Sequence, residues 1–172
     1  IKGLKRLEYR GYDSAGIAML TSSGLMVAKS AGKIKKLEEL IASNNIDSTH
    51  GIAHTRWATH GEPTKLNAHP HTDEAGEIAL VHNGIIENHD ALRAQQKQAG
   101  YRFTSQTDTE VIVHQIHFYL NQGMDLLAAV QSTVADLEGA FALGVISRDE
   151  PGRLVAARRG SPLVIGIADA ER

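Results

Sequence analysis

The decapeptide His54-Thr55-Arg56-Trp57-Ala58-Thr59-His60-Gly61-Glu62-Pro63 carries the densest chemistry in this sequence: a guanidinium, two hydroxyls, two imidazoles and the one tryptophan. A guanidinium can grip a carboxylate or phosphate through two parallel N–H···O bonds. Gly51-Ile52-Ala53, just upstream, reads as the end of a short buried strand. Polar groups at a strand end, followed by turn residues, suit a binding site, because a rigid element positions them and a loop lets them reach a ligand. The competing reading is a polar loop around a satisfied arginine.

Two other positions extend this chemistry. Asp108, preceded by Thr107, stands where a helical pattern begins. It reads either as an N-cap or first-turn carboxylate favoured by the helix dipole, or as the partner of an ammonium group. Arg56 and Asp108 facing one pocket would together read the α-carboxylate and α-amino group of a free amino acid. Asn83-Gly84 is also two-sided. Asn-Gly is the strongest two-residue hairpin signal, yet the following Ile85-Ile86-Glu87-Asn88 leads to a helix. The alternative is an oxyanion hole, with the Asn amide and the Gly N–H as donors and glycine permitting close backbone approach.

Other chemistries are weaker. Among nine histidines, His69-Pro70-His71 and His114/His117 could each supply two metal ligands. There is no cysteine and no His-Glu-x-x-His pattern to support them, so no metal is expected. The lack of cysteine also excludes disulfides and a cysteine nucleophile within these 172 residues. No Walker loop, G-x-G-x-x-G or G-x-S-x-G motif occurs. A net charge of -2 without long single-sign runs argues against non-specific nucleic-acid binding. No apolar run is long enough to span a bilayer, and no basic-then-apolar leader opens the sequence, so no membrane association and a cytoplasmic location are expected.

The elements that must hold these groups follow from periodicity. Apolar residues at 1, 4 and 7 give an opening helix that ends near Arg10-Gly11. Strands are expected at 15–20 and 25–30 around the turn Thr21-Ser22-Ser23-Gly24, then an amphipathic helix at 33–42. A strand at 51–56 enters the focal stretch, and residues 65–75 read as a loop. A strand at 77–82 follows, then a helix capped by Asn88 and running to Gln98. The remainder reads as a short strand at 101–103, a helix from Thr107 or Asp108 to Leu120, a helix at 124–137, and strands at 140–147, 154–157 and 163–167. Strands come in pairs and two helices adjoin, which predicts one α+β domain with mainly antiparallel pairing.

Four segments now stand in order: Arg6-Leu7-Glu8-Tyr9-Arg10-Gly11-Tyr12-Asp13-Ser14-Ala15-Gly16, then 54–63, then Asn67-Ala68-His69-Pro70-His71, then His82-Asn83-Gly84-Ile85-Ile86-Glu87-Asn88. Together they closely resemble class II glutamine amidotransferases, and among them the glutaminase domain of the glucosamine-6-phosphate synthases, the isomerising glutamine–fructose-6-phosphate aminotransferases. The resemblance covers essentially the whole sequence. It implies the N-terminal-nucleophile (Ntn) hydrolase fold, a four-layer αββα sandwich, with no metal or organic cofactor. It also implies a terminal cysteine that attacks the glutamine amide, releasing ammonia towards a C-terminal sugar isomerase domain through which the protein forms a homo-oligomer.

Carried over position by position, Arg56 binds the glutamine α-carboxylate and Asp108 its α-amino group. Thr59, His60 and Trp57 belong to the loop that closes over glutamine. Asn83 and Gly84 form the oxyanion hole, and Arg10 and Gly11 line the pocket beside the nucleophile. The resemblance places that cysteine before Ile1 and further strands beyond the last residue. The sequence is therefore expected to be a piece of a longer protein, with an exposed sheet edge and marginal stability. By itself it is not expected to hydrolyse glutamine. Two alternatives remain open: a non-catalytic amino-acid-binding regulatory domain of the same fold, and a metal-dependent hydrolase.

Overall fold

Period-two alternation divides the apolar residues of each strand into two sets, and that division builds the layers. In the computed structural model, which describes residues 1–42, 47–48, 50–57 and 61–167, β1 (Ser14–Thr21) turns Ala15 and Ile17 to one side and Ala18 and Leu20 to the other. The first pair meets Leu4 of α1 (Lys2–Leu7) and Ile34 and Leu37 of α2 (Ile34–Ala42). The second pair faces a second sheet. β1 pairs antiparallel with β2 (Gly24–Ala31) and with β3 (His50–Arg56), giving the order β2-β1-β3.

The second sheet has the order β4-β5-β6-β7, from β4 (His71–Thr72), β5 (Ile78–Ile86), β6 (Gly139–Ser147) and β7 (Leu154–Arg159), with antiparallel pairing throughout. Its inner face sends Ala79, Val81 and Ile146 against Ala18, Leu20 and Ile52. Its outer face sends Ile78, Leu80, Phe141, Leu143 and Val145 against Val111, Ile112 and Ile116 of α4 (Glu110–Leu120) and Leu126 and Val130 of α5 (Leu126–Asp136). α3 (His89–Gln98) adds Leu92 to that core. The result is α+β, as the periodicity predicts, with the helix, sheet, sheet and helix layers that the resemblance implies.

Several local expectations are corrected. Asn83-Gly84 is not a turn: both residues lie inside β5, opposite Ala142 and Phe141 of β6. Residues 101–103 form no strand. The neighbouring amides of Thr104 and Ser105 donate to Glu110, and Phe103 lies beneath the Arg93 guanidinium, 4.3 Å from its ring centre. Residues 163–167 form none either; Val164, Ile165 and Ile167 are 89%, 79% and 95% exposed. A β-branched run is not a strand unless a neighbour accepts its hydrogen bonds. Asn88 sits at the N-cap of α3 without capping it. Its side chain instead bridges the Asp136 carbonyl and the Glu138 N–H.

Candidate functional site

The site lies where the apolar seam between the two sheets becomes polar. Along β3, Ile52 lies in that seam, so His54 and Arg56, two and four residues on, point the same way. Along β5, Ala79 and Val81 lie in the seam and Asn83 continues their face. The two strands meet through His54 Nε2 and Asn83 Oδ1, 2.9 Å apart. Beyond this contact opens a cavity of about 480 Å³ lined by Arg10, His54, Arg56, Trp57, Asn83, Gly84 and Asp108, with Thr109, His69 and His82 behind them.

Arg56, at the end of β3, is 4% exposed. Its Nη1 and Nη2 donate to the Glu62 and Gly61 carbonyls at 3.3 Å each. Burial pulls its pKa down, while Asp13 and Asp108 oppose that shift and favour the charge. Asp108 is not the helix cap that its local sequence suggests. α4 starts two residues later, and Asp108 Oδ2 accepts the Ile86 N–H at 2.9 Å. The carboxylate is thereby held at the end of β5, beside Gly84.

The ladder between β5 and β6 explains why two N–H groups of β5 point away from β6 at that end. Glu77 with Arg148 and Glu87 with Glu138 are hydrogen-bonded pairs, and the register between them is unbroken. By alternation Gly84–Phe141 and Ile86–Gly139 are non-hydrogen-bonded pairs. The Ile86 N–H goes to Asp108, and the Gly84 N–H is not committed to β6. Gly84 has φ of +132°, and a Cβ there would stand 2.1 Å from the Ala140 carbonyl oxygen. Only glycine fits.

The predicted site residues are brought together unevenly. Arg10, Arg56, Trp57, Asn83, Gly84 and Asp108 all border the cavity. Trp57 is 60% exposed and meets Tyr12 edge to face, 5.7 Å between ring centres. Gly11 is not in the wall. It is buried against the Thr55–Arg56 backbone, where a Cβ would approach to 3.0 Å. Thr59 and His60 lie outside the described residues. Of the suggested metal pairs, His114/His117 is engaged elsewhere, His117 with the Tyr101 hydroxyl and His114 against Tyr101 and Phe103, while His69 and His71 pack edge to face, 5.0 Å between ring centres. Among the described residues no group of three or more His, Cys, Asp or Glu is placed to hold a metal.

Sequence reasoning missed two supports. Asn67 ties the segment after the focal stretch to the loop before α4: its Nδ2 donates to the Glu62 carbonyl and to Gln106 Oε1, and its Oδ1 accepts the Gln106 N–H. At 2% exposure it has little access to water as a substitute. Asn67→Ala is therefore expected to cost on the order of 2–3 kcal/mol in denaturant unfolding; a loss below about 0.5 kcal/mol, the scale of an ordinary surface change, would show the tie to be unimportant. The second support is a block of histidines. His54, His69, His71 and His82 all have lowered pKa values, desolvation being the largest cause for each. His69 and His71 lie well below the ordinary range and His82 falls to about 4. At neutral pH the rings are uncharged, so Arg10, Arg56 and Asp108 carry the fixed charges of the cavity wall.

The chain is also similar to known proteins. Residues 54–170 match the family described as a glutamine amidotransferase domain. The glutamine–fructose-6-phosphate aminotransferase (isomerizing) of Pseudomonas putida is 57% identical, and that of Pseudomonas syringae pv. tomato 55%, each over 99% of this chain. The chain spans 28% of the length of either relative. Among solved structures, the glutamine phosphoribosylpyrophosphate amidotransferase of B. subtilis superposes with a TM-score of 0.71 at 27% identity, over 85% of this chain and 31% of that one. No helix among the described residues is long and apolar enough to cross a membrane. With a family match over most of its length, relatives above one-half identity and a solved amidotransferase that superposes at a TM-score of 0.71, this chain belongs to the glutamine amidotransferase domain family.

Proposed function

We propose that the cavity binds free glutamine and supports attack on its side-chain amide, as part of a longer cytoplasmic enzyme that passes the ammonia to a sugar-phosphate domain and yields glucosamine 6-phosphate. Arg56 holds the α-carboxylate and Asp108 the α-ammonium. Asn83 Nδ2 and the Gly84 N–H receive the oxyanion that develops as the amide carbonyl becomes tetrahedral. Trp57, with Thr59 and His60, covers the bound substrate, and Arg10 borders it. The thiol comes from outside these 172 residues, which contain no cysteine. The isomerase domain of the same polypeptide is the partner, and the protein assembles as a homo-oligomer through it. The observation that supports this reading best is the placement of a buried cation and a buried carboxylate in one cavity with two candidate donors between the sheets.

The test is a glutamine titration of the complete protein. Arg56→Ala is expected to weaken binding by a factor of roughly 10 to 150, the equivalent of a charge-assisted hydrogen bond worth about 1.5–3 kcal/mol. Equal affinities would remove Arg56 from the site. A non-catalytic binding domain of the same fold is also compatible with a sequence that lacks cysteine; in that case the complete protein would bind glutamine and release no ammonia.

A further inference from the structure

The histidine behind Asn83 has no assigned part in this chemistry, yet it contacts the Asn83 amide directly. We propose that His54 is a positioning residue: its Nε2–H donates to Asn83 Oδ1 and turns the Asn83 NH₂ group into the cavity. The proposal rests on the reading of Asn83 as an oxyanion donor.

The argument begins with hydrogen-bond capacity. A neutral imidazole has one N–H and one lone pair. His54 Nε2 has a partner, Asn83 Oδ1 at 2.9 Å. His54 Nδ1 is buried and has no hydrogen-bond partner in good geometry. A proton on Nδ1 would find no hydrogen-bond partner in good geometry and would turn Nε2 into an acceptor. The Asn83 amide would then rotate to donate towards His54, and its Oδ1 would face the cavity. An acceptor would stand where negative charge develops. With the proton on Nε2, only a lone pair goes unpartnered, which is the cheaper deficiency. The His82 carbonyl favours the protonated form of His54; a doubly protonated ring still donates from Nε2, so the orientation of Asn83 does not depend on that charge.

Neighbouring rings obey the same logic. Thr109 Oγ1 lies 3.1 Å from His69 Nε2, 2.9 Å from His82 Nδ1 and 3.5 Å from Asp108 Oδ1. A hydroxyl has one hydrogen and the carboxylate only accepts; one arrangement that serves all three contacts has Thr109 donating to Asp108 and accepting from both rings. The nitrogens left bare are His69 Nδ1 and His82 Nε2, and both are buried without a partner. His69 in turn lies 4.2 Å from His54, ring centre to ring centre, and braces it from behind. The orientation of Asn83 thus rests on a packed block, not on one mobile side chain.

The experiment uses the complete protein, thiol included. Nitrogen NMR of the His54 imidazole is expected to show Nε2 protonated. His54→Phe keeps a ring but no donor, and is expected to lower kcat for glutamine hydrolysis by roughly tenfold or more with little change in KM, because the lost interaction belongs to the transition state. His54→Gln places an amide N–H near the position of Nε2 and is expected to recover most of that loss. His54→Asn, which mimics Nδ1, is not. In an Asn83→Ala background, adding His54→Phe is expected to cost nothing further. A loss in Asn83→Ala with full kcat in His54→Phe, or a His54 proton found on Nδ1 alone, overturns the role of His54 and leaves that of Asn83 standing. Full kcat in Asn83→Ala overturns both. Should His54→Phe fail to fold, the imidazole spectrum of the unsubstituted protein decides.

Discussion

Acidification from pH 7 to 4.5 is expected to destabilise this domain steeply. His54, His69, His71 and His82 are held neutral by desolvation, with mutual repulsion among the rings and the nearby Arg56 acting in the same direction for several of them. In the unfolded chain each ring takes up a proton near its ordinary value of about 6.5. In the folded protein His82 does so only near pH 4, and His69 and His71 are also well below the ordinary range. The unfolded state therefore binds more protons between these limits, and stability rises with pH there. The stabilisation is fully present above about pH 6.5 and is lost as pH falls towards 4. Each strongly depressed ring contributes up to about 1.4 kcal/mol per pH unit, and His69, His71 and His82 together about 4 kcal/mol per unit, with His54 adding in the same direction. Over one to two units that is comparable with the lower part of a typical stability margin of about 5–15 kcal/mol. His114, also lowered by desolvation, adds in the same direction. Glu110 extends the acid limb. Desolvation pushes its pKa up, but hydrogen bonds from Thr104 and Ser105 together hold it below the ordinary carboxylate value, so its contribution is lost as pH falls through that lower range. Denaturant unfolding at pH 7.5, 6.5, 5.5 and 4.5 measures the slope. A flat profile between pH 7 and 5 would mean that the rings are charged or solvated in the folded state.

The histidines also show where sequence reading reaches its limit. Their number and spacing raise the question of metal ligands, because spacing along a chain is the only geometry a sequence displays. What gives them their role is a cross-sheet distance, His54 on β3 to Asn83 on β5. Nothing local to residue 54 announces it. Asn67 was hidden for the same reason, since its partners lie at 62 and 106. Arg56, Asp108 and Asn83, which the fold brings to one cavity, stood out as candidates because their chemistry is particular: a strand-end guanidinium, a carboxylate before a helix, an amide beside glycine. The main layers were legible because alternation and helical periodicity report faces directly. The short segments failed. Residues 101–103 and 163–167 have strand composition, but composition says nothing about whether a neighbour is present to complete a ladder. Asn-Gly misleads in a different way. The hairpin turn and this site both call on glycine at positive φ, so one dipeptide serves two structures, and only the register of β5 on β6 separates them.

That register sets the second large effect. Gly84→Ala is expected to cost about 3–5 kcal/mol in unfolding free energy, the sum of strain at positive φ and overpacking in a filled space. The obstruction is backbone: a Cβ at residue 84 would stand 2.1 Å from the Ala140 oxygen and 2.7 Å from the Phe141 Cα. No flexible side chain can move aside, so β5 would have to lift from β6. The neighbouring pair is built alike, with Gly139 at φ of +114° and room for a Cβ blocked 2.3 Å away by the Ile85 carbonyl oxygen. Gly76→Ala is the control. Gly76 has φ of +70° with nothing within 4 Å of the added methyl. It should lose only the cost of a left-handed alanine, about 1–2 kcal/mol. A difference of about 2 kcal/mol or more between the two variants, read in the same denaturant titration, is the expected result; equal losses would mean that the strand pair yields to a side chain at residue 84. If Asn83 and Gly84 supply the oxyanion donors as proposed, the same shift would displace them, and any folded fraction of Gly84→Ala should also lose glutamine turnover in the complete protein by a factor of roughly 10²–10³, the size associated with loss of one oxyanion donor.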